Sequence, residues 1–114
     1  MPKTISGRFY FKQTSNGNLI GEFTNYQSDR IFTESADQSA SSGNCPYLGQ
    51  YNSTWQENGK SCLADLEISP TNGSNEIFSL TWREKGRTIF VGGGMLCDNI
   101  LIGDYHSVEK TTSS

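Results

Sequence analysis

The sequence predicts an all-β protein, an eight-stranded antiparallel up-and-down meander that closes into a small barrel. Three observations carry this reading. First, hydrophobic residues make up 33% of the 114 residues while aromatics reach 11%; a chain rich in aromatic, β-branched, Ser, Thr and Gly residues favours strands and turns over helices. Second, residues 75–105 read as three strands and two tight turns. Phe78, Leu80 and Trp82 alternate there with Ser79, Thr81 and Arg83, the two-residue period of a half-buried strand. Third, hairpins of the same kind recur along the chain. An isolated hairpin is marginal and an open sheet exposes edges, so closing the meander answers both demands. At eight strands the interior is just wide enough to be filled by side chains or to hold one small ligand.

The elements follow in order within a single domain, residues 1–114, with 1–6 and 109–114 read as flexible ends. Residues 7–13, with Phe9, Tyr10 and Phe11, form a first strand. Ser15-Asn16-Gly17-Asn18 signals a hairpin, Asn-Gly being the preferred type I′ pair. Residues 19–26 make a second strand, with Gly21, Phe23 and Asn25 on one side and Ile20, Glu22 and Thr24 on the other. A turn at Gln27-Ser28-Asp29 leads to a short third strand over residues 30–34. Residues 35–46 are small, polar and aperiodic and read as a long loop, a kind of segment that is often functional.

Residues 47–56 and 61–69 are the fourth and fifth strands, joined by Asn58-Gly59. The turn cluster Pro70-Thr71-Asn72-Gly73-Ser74 precedes the last three strands. Among those, Lys85-Gly86 and Asp98-Asn99 supply the turns, and Gly92, Gly93 and Gly94 mark a bulge, a barrel corner or the close approach of another group. The stretch from Tyr51 through Trp55 and Gly59 aligns without gaps on Phe78, Trp82 and Gly86, an internal repeat whose unit is a hairpin ending on a large aromatic.

A net charge of −3 and the lack of any basic run give no footprint for nucleic acid or an anionic membrane surface. No apolar run approaches the ~18 residues of a transmembrane helix. The opening MPKTISGRFYF has neither an apolar core nor a cleavage site of a signal peptide, so the expectation is a cytoplasmic protein. Cys45, Cys62 and Cys97 show no metal-ligand spacing and His106 is the sole histidine; the cysteines are expected as free thiols, one disulfide plus a thiol being the alternative, and no metal or cofactor is expected. Oligomerisation through an exposed sheet face is compatible with the pattern, with no symmetry fixed.

Phe78-Ser-Leu-Thr-Trp82 followed by Thr88-Ile-Phe-Val-Gly92 resembles one hairpin of the avidin and streptavidin family, and Ser6-Gly7-Arg8-Phe9 with Ser15 is loosely similar to that family's opening strand and loop serine. The resemblance covers about thirty residues. It implies a calycin-like barrel and nominates Trp82 and Thr88, with Ser15, as pocket positions. Phe9 and Phe11 stand where that family has a pocket Trp and the Asn that binds the ureido group, so biotin is not the implied ligand.

Function is expected to be non-enzymatic binding of a small, largely apolar ligand, with Trp55 and Trp82 as walls near one rim and Thr88 and Tyr105 as polar contacts. The competing reading makes both tryptophans core fillers. Two other functions stay open: a protein-interaction module with a filled barrel acting through the 35–46 loop, and a cofactor-free enzyme. The latter requires an inward titratable group, for which Glu22, Glu67, Asp104 and His106 are the candidates.

Overall fold

The computed structural model describes residues 5–26, 29–41, 46–57, 59–72 and 76–108. Eight strands follow one another: β1 (Ser6–Gln13), β2 (Leu19–Asn25), β3 (Phe32–Ser41), β4 (Gly49–Glu57), β5 (Lys60–Pro70), β6 (Ile77–Glu84), β7 (Arg87–Cys97) and β8 (Ile100–Ser107). Each pairs antiparallel with the next, and β8 returns to β1 through pairs such as Gly7 with Tyr105 and Phe11 with Leu101. The meander is a closed barrel. Closure leaves no sheet edge, and the alternation along each strand sorts side chains between one interior and one exterior.

The two ends of this barrel differ. One end carries the β1–β2, β3–β4, β5–β6 and β7–β8 connections and is plugged. Phe11, Leu19, Ile68, Phe78 and Leu101 fill the interior there, almost wholly buried. Tyr47 closes it from outside the strands, at a left-handed φ of 72°. Its hydroxyl lies 3.0 Å from Phe11 O and 2.7 Å from Asn99 O, and its backbone N–H donates to Gln13 Oε1 at 2.8 Å. Tyr47 was expected to begin the fourth strand; it is a stopper instead, and β4 starts at Gly49.

Three other expectations need correction. Residues 35–41 are not loop but the second half of β3, paired with β4 from Glu34–Trp55 to Ser41–Gly49 across a bulge at Gln38/Ala40. Small polar residues hold this strand because their neighbours supply the ladder and Ala36 still points into the core. Residues 42–45 of the expected loop, Cys45 among them, lie outside the described residues. The Asn16-Gly17 turn is a three-residue loop rather than a type I′ pair: Gly17 N–H donates to Thr14 O at 3.0 Å and Gly17 alone of the two has positive φ. Finally, Ile5 and Ser6 are not frayed, since Ile5 N–H donates to Ser107 Oγ at 2.8 Å and Ser6 pairs with His106.

Candidate functional site

The opposite end of the barrel carries the β2–β3, β4–β5 and β6–β7 connections, and its interior is not filled. A cavity of about 30 Å³ lies there, lined by Ile5, Phe9, Phe23, Glu34, Trp55, Trp82, Phe90 and Tyr105. Register explains why these side chains meet. Phe23 pairs with Phe32, Glu34 with Trp55, Trp82 with Phe90, and Gly92 with Tyr105, so inward positions of neighbouring strands fall at one level. The aromatic rings brace each other at steep angles: Phe23 stands at 89° to Trp55 and 84° to Tyr105, and Phe9 at 79° to Trp82. Room for the Tyr105 ring comes from its two strand neighbours, which are both glycine. A methyl group on Gly7 or Gly92 would strike Tyr105 and adjacent backbone. The Tyr105 hydroxyl reaches across Gly7 and donates to Thr24 O at 2.8 Å.

Glu34 is the one carboxylic acid among the described residues of this wall, and it is 6% exposed. Ser53 Oγ and Trp82 Nε1 both donate to its Oε2, the indole at 2.9 Å. Its Oε1 receives no hydrogen bond from a described residue. Burial disfavours the charged form and lifts the carboxyl from 4.5 to about 7, against the pull of the two hydrogen bonds. Among the described residues, no lysine, arginine or histidine lines the cavity to offset the charge. The group therefore titrates near neutrality in a water-poor, aromatic box.

Of the residues nominated from sequence, Trp55, Trp82 and Tyr105 come together in this cavity. Thr88 is not among its lining residues. A bulge at Trp82/Arg83 sets Thr88 opposite Arg83, while Trp82 faces Phe90. Arg83 turns outward to Glu67 at 3.0 Å, and directly paired residues share a face, so Thr88 stands on the outer surface. Ser15 lies in the β1–β2 turn at the plugged end, away from the cavity. The four titratable candidates also face outward: Glu22 accepts a hydrogen bond from Tyr10 on the outer face, Glu67 pairs with Arg83, and Asp104 and His106 are exposed.

Sequence reasoning missed Glu34 because it stood at the end of a strand cut short. Its signal was parity: Phe32, Glu34 and Ala36 share one side of β3, and extending the strand by two residues puts all three inside. Comparison with known proteins adds no further guide, since no protein-family model, no curated protein and no solved structure matches this chain.

Proposed function

We propose that this chain is a non-enzymatic, calycin-like binding protein that holds a small ligand at the unfilled end of its barrel. The observation that supports this reading is the contrast within one interior. The plugged end is packed to exclusion, while the other keeps a cavity whose described walls are two tryptophans, three phenylalanines, a tyrosine and Ile5 with the Glu34 carboxyl. Concave, largely apolar sites with a few convergent polar groups are the usual form of small-molecule pockets, and eight-stranded barrels commonly hold one such ligand.

Titration of intrinsic tryptophan fluorescence with small organic probes tests the reading, alongside native mass spectrometry for co-purifying molecules. Trp82→Ala is expected to abolish binding while lowering stability by about 3–5 kcal/mol. Because that loss is itself large, Trp55→Leu serves as the milder companion, expected to weaken binding about tenfold in a folded barrel. Binding unchanged in Trp55→Leu would sink the pocket.

A second reading has one observation in its favour. A carboxyl that titrates near 7 beside a cavity is suited to move a proton, as a cofactor-free isomerase requires. Turnover of a bound molecule, lost in Glu34→Gln with binding retained, would favour it. The alternative of an interaction module acting through residues 35–46 loses most of its loop to β3.

A further inference from the structure

We propose, building on the pocket reading above, that the cavity is an aromatic cage for the head of a small organic cation, an alkylammonium, with the Glu34 carboxylate as its counter-ion. Three features of the site converge on this class.

Size comes first. A water molecule needs roughly 10–15 Å³ of such space, so about 30 Å³ beside Glu34 admits a compact head of a few atoms and not a ring. A ligand that enters does so head-first, its remainder at the mouth.

Wall chemistry comes second. Cations are attracted to the faces of aromatic rings, tryptophan most strongly, and desolvation strengthens that attraction. Six of the eight described lining residues are aromatic, so a body in the cavity is surrounded mostly by aromatic rings.

Charge comes third. A buried carboxylate without a cation is costly, and the described residues of the cavity wall supply none. Ser53 and Trp82 both donate to Oε2, which orients the group, and Oε1 takes no hydrogen bond from a described residue. A neutral apolar ligand offers neither charge nor a donor to the carboxyl. An ammonium head answers the charge, and one that keeps an N–H answers a lone pair as well.

The pairing makes binding depend on pH. Among the described residues, the cavity around Glu34 is lined by Phe9 of β1, Phe23 of β2, Trp55 of β4, Trp82 of β6, Phe90 of β7 and Tyr105 of β8. Ser53 of β4 bonds the carboxyl, and Cys62 of β5 packs on the same core opposite Trp55; the Tyr105 phenol and the Cys62 thiol are the other titratable groups described there. Alkylammonium ions keep their charge throughout the neutral range. Affinity therefore rises with pH until Glu34 is ionised, and falls about tenfold for each unit below that point.

The experiment compares the methylammonium to tetramethylammonium series and choline with dimethylbutanol, the uncharged carbon isostere of choline, by tryptophan fluorescence and calorimetry. Expected are saturable binding of at least one cation, binding of dimethylbutanol weaker by about tenfold or more, and a loss of about tenfold or more for cations in Glu34→Gln. The glutamine keeps an acceptor for Trp82 Nε1 and its folding is checked by thermal melting. If dimethylbutanol binds as well as choline and Glu34→Gln changes neither, the cation proposal is overturned and the pocket reading stands. If neither class binds while other organic probes do, the cation proposal is likewise overturned and the pocket survives it. If no probe of any kind binds, both fall. Trp55→Leu provides the second arm: it is expected to weaken cations more than dimethylbutanol, and an equal loss for both counts against the cage.

Discussion

Burial raises the Glu34 carboxyl from 4.5 to about 7, so the folded chain holds this proton more tightly than the unfolded chain does. The sign of the consequence is fixed. The contribution to stability is complete below about pH 4.5, declines as pH rises, and is gone once the folded group has ionised above about 7. Its size is on the order of 3 kcal/mol. Urea midpoints at about pH 5 and about pH 8 are expected to favour the acid side in the wild type relative to Glu34→Gln, whose amide does not titrate. Equal pH dependence in the two proteins would show that Glu34 is solvated. The residue also marks the limit of what single positions disclose. A glutamate in sequence is by default a surface residue, and the parity that sets Glu34 with Phe32 and Ala36 speaks for an inward carboxylate only once β3 is extended through Ala36.

Hairpins were the elements easiest to read, because their turns are chemically specific. Lys85 and Gly86 both take positive φ, 52° and 81°, as do Asp98 at 55° and Asn99 at 66°, which are the values of type I′ turns. Left-handed φ is costly for a lysine and cheaper for an asparagine. Lys85→Asn is therefore expected to stabilise the protein by about 0.5 kcal/mol, read as a shift in the denaturation midpoint. No shift, or a fall, would mean that Lys85 makes a contribution its backbone angle conceals. What the hairpins hid was local irregularity. The alignment of Trp55 on Trp82 places both correctly on inner faces, yet β4–β5 runs in unbroken register from Trp55 to Lys60 while β6–β7 bulges after Trp82. One extra residue moves Thr88 out of the pocket, and no composition signal announces such a bulge. Residues 35–41 failed for the complementary reason: their strand character is imposed by β2 and β4 and does not reside in the side chains.

At the scale of the molecule, closure followed from strand number and the cost of edges, and the structure bears it out. The uneven interior did not follow. Whether a barrel is hollow or filled depends on which large side chains share a level, and that depends on register across all eight strands. Phe11, Phe78 and Leu101 meet at one level and exclude space; Trp55, Trp82 and Tyr105 meet at another and leave some.

Between Ile5 and Ser107 two hydrogen bonds, of 2.7 and 2.8 Å, join the beginning of the described chain to its end. In space the strands form a ring with no first member. Chain order and spatial order are thus separable here: joining residue 114 to residue 1 and opening the backbone between Asp98 and Asn99 preserves every strand pair but leaves the chain starting at β8. Such a circular permutant is expected to fold to the same barrel, with the cut at the plugged end and the cavity's tryptophan fluorescence unchanged. A permutant that fails to fold would mean that the β7–β8 turn is needed to set register, and that the ring has a seam.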